Sequence, residues 1–271
     1  MGKRVEAFVE VVKVNFKLLF QYKWTFAMSL FTQPIIFIIN YIIFYSIYSY
    51  SGRETIQGYS MQQMVWFFTA NLLVNAFVWN PCVGNFSGKI LSGDLTMDLL
   101  RPISLYQYEM ATCVASRCVS IIMDFLPGLF VYSLILPPDF VTPVSVIRAF
   151  CVVIPAFFIS YLTSSLIGIC AMWVKNSTSL QAVSNLLISF AGGCLIPMEF
   201  YPDWLVRLTD FLPYKYIYYL PIQYILNREI VQGTAFFWRT IVIQAGWIIL
   251  LWLLYQVGWK RLLQRYGAAG G

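Results

Sequence analysis

The feature that most constrains this chain is a series of long apolar runs that carry almost no charge. A helix needs about 20 apolar residues to cross the hydrocarbon core of a bilayer. Runs of that length lie at residues 24–50, 64–83, 107–136, 149–174, 176–198 and 240–259. Only the third contains charged residues, namely Glu109, Arg117 and Asp124. Because no water is available at that depth to satisfy backbone groups, each run is predicted to be a helix.

The overall composition restricts the class of protein further. Hydrophobic residues make up 59% of the chain and charged residues only 11%, against about 25% charged residues in a soluble domain. These values exclude a soluble enzyme, a disordered protein and a nucleic-acid-binding protein. The sequence has no histidine, which excludes catalysis and metal binding through imidazole. The six cysteines have no Cys-x-x-Cys spacing, and we expect small buried side chains rather than disulfides or zinc ligands.

The first 23 residues are amphipathic rather than uniformly apolar. Apolar side chains repeat with helical period between residues 5 and 22, while Glu6, Glu10, Lys13 and Lys17 occupy the opposite face. This pattern predicts a helix lying in the membrane interface. The same charges interrupt the apolar stretch that a cleavable signal would need.

Lysine and arginine residues indicate the orientation of the spans. With the N-terminus inside, the inner segments hold eleven of them: Lys3, Arg4, Lys13, Lys17, Lys23, Lys89, Arg101, Lys175, Lys260, Arg261 and Arg265. We therefore predict an all-α, polytopic membrane protein with six transmembrane helices and both termini in the cytoplasm. Residues 1–271 form one transmembrane domain, with spans one to five in 24–198, span six in 236–259 and a cytoplasmic tail at 260–271.

The inner loop at residues 84–104 is predicted to contain a short helix. Phe86, Ile90 and Leu91 can share one face, Gly93 can end the helix, and Asp94 can cap a second turn. An apolar helix face on the cytoplasmic side suits a groove on a soluble partner. The alternative is that the loop packs on its own membrane domain. The glycines do not form a phosphate-binding loop, because the spacing is too short and Ile90 follows Lys89.

The outer segment at residues 199–235 is unusually aromatic and is interrupted by prolines. It is predicted to form short re-entrant helices that dip into the outer leaflet and are held by an aromatic belt. Two interpretations stay open: anchoring alone, or a lid over an outward exit.

Polar side chains inside the predicted spans form a third group of interest. A carboxylate at the centre of a span costs about 2.5–3.5 kcal/mol, so Asp124 should face the bundle interior or a wet cavity. It is either a polar lock between helices or part of a substrate path. Asn71, Asn75 and Asn185 are weaker cases, expected to bond between helices.

This plan resembles the permease subunits of ABC type-2 exporters, and more narrowly the bacterial subgroup that contains daunorubicin- and exotoxin-exporter-like permeases. The resemblance covers essentially the whole chain. It is carried by SGDLTMDLLRPIS at residues 92–104 and by GGCLIPMEFYPDWLVRLTDFLPYKYIYYLP at residues 192–221.

The resemblance implies a membrane-spanning subunit of an ATP-driven exporter in the bacterial inner membrane. It implies two copies of a separate cytoplasmic ATPase, which bind ATP and Mg²⁺, and a second permease, identical or related. The chain itself is expected to bind no cofactor and no metal, and to be no enzyme. The N-terminal helix corresponds to a connecting helix near the ATPase.

The resemblance also suggests site residues. Those for contact with the ATPase are Phe86, Lys89, Ile90, Leu91, Asp94, Leu99 and Arg101. Those for a translocation path at the dimer interface are Asn71, Asn75, Asn185 and Ser189, with Asp124 beside them. Those for an outer gate are Phe200, Trp204, Phe211 and Tyr214.

Three other functions are compatible with parts of the sequence. A secondary carrier would use Asp124 for proton or sodium coupling and would need no ATPase. A membrane-embedded enzyme would need clustered acids, and Asp94 and Asp98 are the only inner acidic pair. An accessory subunit would only stabilise a partner permease.

Overall fold

The computed structural model describes residues 2–19, 23–100, 104–174 and 176–269. The first half contains α1 (Gly2–Leu19), α2 (Lys23–Ser51), a hairpin of β1 (Thr55–Ile56) and β2 (Tyr59–Ser60), α3 (Met61–Val78), α4 (Cys82–Ser92), α5 (Leu95–Leu99), α6 (Leu105–Ser120), a π-helical turn (Ile121–Phe125) and α7 (Leu126–Ile135). The second half contains α8 (Pro143–Ile169), α9 (Ala171–Val174), α10 (Ser177–Ala191), α11 (Asp203–Asp210), α12 (Tyr219–Ile225), α13 (Glu229–Gln232) and α14 (Thr234–Ala269). Short 3-10 turns at Met198–Phe200 and Pro213–Tyr216 flank α11.

The fold is an all-α membrane protein, as the apolar runs predict. Within the described residues, four helical stretches are long and apolar enough to cross a bilayer: Pro34–Ser51, Leu105–Ile135, Pro143–Ile169 and Thr234–Gln264. The other two predicted spans contain the helices α3 and α10, of 18 and 15 residues. At 1.5 Å per residue they measure about 27 and about 22 Å, less than the hydrocarbon core. Six spans therefore stay a prediction.

Helix α8 lies at the centre of the packing. It contacts α14, α4, α12 and α3, and its buried side is rich in small residues such as Ser160, Ser164 and Gly168. Small residues let helix backbones approach closely. The N-terminal helix α1 forms where its amphipathic pattern predicts, and it packs against α6.

Two helices end earlier than predicted, one at the inner end of the second predicted span and one at the outer end of the fifth. The second was predicted to run to Val83, but α3 ends at Val78 and α4 begins at Cys82. Pro81 has no N–H to continue the helical ladder and disfavours a helical conformation at Asn80, which explains the break. The fifth was predicted to run to Met198, but α10 ends at Ala191, before Gly193 with a φ of +67°.

The π-helical turn interrupts the third predicted span. In this turn the N–H of Leu126 donates to the carbonyl of Ile121, five residues back. The next residue is Pro127, whose ring would clash with a carbonyl in a regular helix. The wider turn accommodates the proline, and it packs against α3, where the Phe77 and Phe125 rings lie 4.9 Å apart.

The cysteines are less uniformly buried than the sequence suggested. Cys82 and Cys113 are fully buried, with their sulfur atoms 3.3 Å apart between α4 and α6. Cys118, Cys151 and Cys170 are exposed on their helices. In a membrane protein, apolar helix faces that are exposed in the isolated chain can be covered by lipid, so thiols there need no burial within the chain.

Candidate functional site

Helix α4 turns its apolar face toward its own chain. Phe86 and Ile90 are buried, and the Phe86 ring lies 6.4 Å from that of Trp259 on α14. Leu91 lies about 100° further round the helix and is 43% exposed. Phe86 and Ile90 therefore fix α4 within the chain, and Leu91 faces outward.

The close contact between α4 and α8 depends on the absence of a side chain at Gly168. A Cβ atom at this position would lie 2.7 Å from the Cβ of Phe86 and 3.2 Å from the carbonyl oxygen of Cys82. Real Cβ atoms do not approach other atoms so closely, so any larger residue would push the two helices apart.

A buried charge cluster connects α4, α5 and α6. The Lys89 ammonium lies 2.7 Å from the Asp98 carboxylate and 2.6 Å from the Glu109 carboxylate. Asn85 donates a 2.8 Å hydrogen bond to the second oxygen of Glu109. Glu109 is 2% exposed and Asp98 is 4% exposed. Burial alone would lower the pKa of Lys89, but the hydrogen bonds and charges of both carboxylates outweigh it and raise that pKa.

An open cleft of about 550 Å³ lies beside this cluster, between α4 and α6. Its lining consists of Gly84, Asn85, Gly88, Lys89, Ser92, Asp94, Tyr108, Glu109 and Thr112. The end of α4, α5 and the residue after it carry exposed apolar side chains: Leu91, Met97, Leu99 and Leu100. We call the cleft together with these four side chains the α4–α6 surface. It contains the predicted contact residues Lys89, Leu91, Asp94 and Leu99, whereas Arg101 lies outside the described residues.

The break between α3 and α4 is held by polar side chains from two other helices. The Asn80 amide donates to the carbonyl of Val78 and to the Ser160 hydroxyl on α8, at 3.3 and 3.0 Å, and its oxygen accepts from the N–H of Cys82. Ser160 also donates to the Val78 carbonyl, at 2.8 Å.

Arg117 on α6 binds the same end of α3. It donates to the carbonyl of Ala76 at 3.2 Å and lies 5.1 Å from the ring centre of Trp79. A cation there is favourable because the carbonyl end of a helix carries partial negative charge. The freed carbonyls of the break thus have donors from α6 and α8.

The predicted path residues whose side chains the structure describes have different bonding partners. Asn71 donates to the carbonyl of Cys194 at 3.2 Å, and Asn75 accepts from the Tyr218 hydroxyl at 3.1 Å. Asn185 is exposed on α10 and bonds to Gln181 of the same helix, and Ser189 is half-buried. The backbone of Asp124 lies in the π-helical turn, and its side chain lies outside the described part of the structure.

The predicted gate residues occupy two environments. Trp204 and Phe211 on α11 and at its end are 67% and 80% exposed, and Phe200 is 38% exposed. Tyr214 is buried. Helix α11 thus has an exposed apolar stripe, and its other exposed side carries Asp203, Arg207 and Asp210. This pattern is typical of a helix at a membrane surface.

A polar cluster that sequence reasoning missed joins the β-hairpin to the outer segment. One oxygen of Glu199 accepts hydrogen bonds from the Tyr59 and Tyr219 hydroxyls, at 2.9 and 2.8 Å. Gln223 donates to the Tyr59 hydroxyl at 2.7 Å, and the Arg228 guanidinium lies 4.0 Å from the Tyr59 ring centre. These residues are 140 or more positions from Tyr59 in the sequence, and no local spacing indicates their pairing.

Within residues 2–19, 23–100, 104–174 and 176–269, no three Cys, Asp or Glu side chains lie close enough together to hold a metal ion.

Comparison with known proteins gives one family match. Residues 34–270 match the family model described as ABC-2 family transporter protein. No curated protein and no solved structure matches the chain.

Proposed function

Because this chain belongs to the ABC-2 family of transporter proteins, we propose that it is the permease subunit of an ATP-driven exporter. It would span the bacterial inner membrane with both termini in the cytoplasm. A separate ABC ATPase would bind ATP and Mg²⁺ and supply the energy. The bilayer is the solvent of the apolar helices, and the permease contributes no catalytic residue.

The observation that carries this proposal is the α4–α6 surface. Leu91, Met97, Leu99 and Leu100 are exposed, and they lie within a few residues of Lys89, Asp94 and Asp98 in the chain. These charged groups exclude the surface from the hydrocarbon core. Exposed apolar side chains close to a polar cleft are typical of a protein–protein interface. On the predicted cytoplasmic side, a soluble ATPase is a partner that would cover them.

The packing of α4 gives a physical route for the ATPase to act on the membrane helices. Phe86 seats α4 on α8 at Gly168, and Lys89 ties it to α6 through Glu109. A push on α4 would therefore move the inner halves of both helices together. The break at residues 79–81 means that this movement does not have to bend a continuous helix from α3 into α4.

The translocation path is proposed to form between two permeases, identical or related. In the isolated chain, Asn75 on α3 and Asn185 on α10 are exposed polar residues in predicted spans. Polar side chains at membrane depth are costly against lipid and favour an interface or a wet path. α11 and the adjoining outer segment would cover the outer end of that path.

The experiment that tests this function is purification of the full chain from its natural membrane in mild detergent. Mass spectrometry would identify the co-purifying proteins, and an assay would measure ATP hydrolysis. We expect a protein with an ATP-binding motif and vanadate-sensitive hydrolysis. Repeated isolation of the chain without an ATPase, together with pH-dependent flux that Asp124→Asn abolishes, would instead indicate a secondary carrier.

A further inference from the structure

The cleft of the α4–α6 surface has unfilled space at Gly88 on its α4 wall. Gly88 lies in the middle of α4, and a Cβ added there would meet no atom within 4 Å. Gly88 has no positive φ, so the backbone does not require glycine either. A glycine inside a helix costs about 1 kcal/mol relative to alanine. No contact or backbone angle within the chain offsets this cost. Glycine at position 88 does, however, leave space for a group that enters the cleft from another protein.

The charges of the cleft select the chemistry of its occupant. At the bottom, the ammonium of Lys89 is already bonded to Glu109 and Asp98. At the mouth, the exposed Asp94 carboxylate accepts a 2.7 Å hydrogen bond from the Ser92 hydroxyl, a neutral donor. The mouth of the cleft therefore presents negative charge. The Tyr108 ring forms part of the wall and already lies 5.2 Å from the Lys89 ammonium, so the group left to pair with an entering cation is Asp94.

We propose that the cleft between α4 and α6 receives a basic side chain, lysine or arginine, that projects from the ATPase subunit. Asp94 would pair with its charge, and Gly88 would leave the space for its stem. The exposed apolar side chains of the α4–α6 surface would exclude water from the interface, as residues around the centre of an interface do. This inference rests on the proposed function, since it names how the same surface recognises its partner.

The first test blocks the cleft without disturbing the fold. Gly88→Trp would fill the cleft from a position where a side chain has free space. The control is Gly246→Trp, which adds the same side chain at an exposed helical glycine of α14 where a Cβ would also meet no atom within 4 Å. The permease is co-expressed with the ATPase identified by its ATP-binding motif, and the ATPase retained per permease is measured. We expect Gly88→Trp to reduce retention about tenfold and Gly246→Trp to retain the wild-type amount.

The second test concerns charge. Asp94→Lys should reduce retention as strongly as Gly88→Trp, and Asp94→Asn should reduce it less. Raising the salt concentration from 0.15 to 0.5 M should weaken wild-type retention more than that of Asp94→Asn, because salt screens exposed charges. p-Benzoylphenylalanine at the exposed position 91, which leaves the cleft open, should cross-link to the ATPase. Changing the lysine or arginine of the ATPase nearest to the cross-linked site to glutamate should restore retention to Asp94→Lys.

The outcomes separate the two proposals. If the wild-type chain retains no ATPase, the proposed function fails. If the ATPase is retained equally by wild type, Gly88→Trp and Asp94→Lys, the function stands and the basic side chain in the cleft is refuted. Cross-links from position 91 to a second permease, or to lipid alone, would also refute it.

Discussion

At the scale of single residues, Lys89 shows how few charges decide the stability of the α4–α6 surface. Its ammonium is shared by Asp98 and Glu109, which are nearly inaccessible to solvent. Because the folded pKa of Lys89 is raised above its ordinary 10.5, its contribution to stability is complete below that pH. It is lost only as the pH rises through the folded value. Between pH 6 and 9 the charge on Lys89 is therefore constant.

We predict that Lys89→Met destabilises the chain by about 3 kcal/mol, the low end for breaking a buried ion pair. The low end applies because 23% of the Lys89 side-chain surface is exposed. Thermal unfolding in detergent, followed by tryptophan fluorescence, measures the change. Lys13→Met is the matched control, since Lys13 pairs with Glu10 on the exposed side of α1. Equal melting temperatures for both variants would contradict the prediction.

The Tyr59 hydroxyl supports a second prediction at this scale. Tyr59→Phe would leave the buried amide of Gln223 and the carboxylate of Glu199 each without one hydrogen-bond partner. We expect a loss of about 1–3 kcal/mol. It would appear as a lower melting temperature and as faster proteolysis of the outer segment. Tyr50→Phe is the control, because Tyr50 is 97% exposed. Unchanged proteolysis of Tyr59→Phe would exclude this role.

Individual residues were predicted from the sequence only where local spacing carries the information. Of the three residues predicted to share one helix face, Phe86 and Ile90 do so, whereas Leu91 faces outward. Spacing alone cannot tell whether a face meets a partner or the same chain. One of the two partners of Lys89 is Glu109, 20 residues away and in the first turns of another helix. In the sequence, Glu109 is visible only as a charge in an apolar run. The three-dimensional structure shows which side chain neutralises it.

At the scale of helices, the contact between α4 and α8 limits what can occupy position 168. Gly168→Ala is predicted to destabilise the chain by about 1–3 kcal/mol, as expected for overpacking. Phe86→Ala would not relieve the strain, because the new atom would meet the Cβ of Phe86, which alanine keeps. Gly258→Ala is the control, since its Cβ would have only one neighbour, at 4.0 Å.

Melting temperatures of these two alanine variants test the prediction directly. A stable Gly168→Ala would mean that α4 can sit further from α8 at little cost. Phe86→Ala is itself a poor probe of coupling to an ATPase, because removing a buried phenylalanine costs about 3–5 kcal/mol. Leu91→Ala and Met97→Ala, both at exposed residues, separate coupling from folding.

Helices were easier to predict than their ends. Long apolar runs and the amphipathic pattern of α1 identify the main helices because periodicity accumulates over many residues. The end of α3 depends on one dipeptide, Asn80-Pro81, which an apolar run of 20 residues hides. The π-helical turn before Pro127 is similar, since the proline predicts a disturbance but not whether it becomes a kink or a wider turn.

At the scale of the whole molecule, the number of spans is the property to test first. Six spans place Met97 in the cytoplasm and Asp139 outside, whereas the four long helices alone would reverse both positions. Both residues are exposed in the described structure. In a chain without its natural cysteines, Met97→Cys should resist a membrane-impermeant maleimide added to intact cells, and Asp139→Cys should react.

Trp204→Cys completes this experiment, because position 204 lies outside with either four or six spans. It should react in both cases and so shows that the protein has inserted. Labelling at Met97→Cys with protection at Asp139→Cys would refute six spans. The α4–α6 surface would then lie outside the cell, and its proposed ATPase contact would fall with it.

The shortness of α10 has a consequence for the lipid around the protein. Its 15 residues span about 22 Å, and Val183, Leu186 and Phe190 are about half exposed on its surface. If lipid covers this face in a six-span protein, the hydrocarbon layer of the bilayer must become thinner beside α10 to match its length. The cost is a fraction of about 1 kcal/mol per Å of mismatch. Thin patches shorten the distance that a headgroup must travel through hydrocarbon. The bilayer beside α10 would then be the easiest place for an amphiphile to tilt, flip or enter sideways.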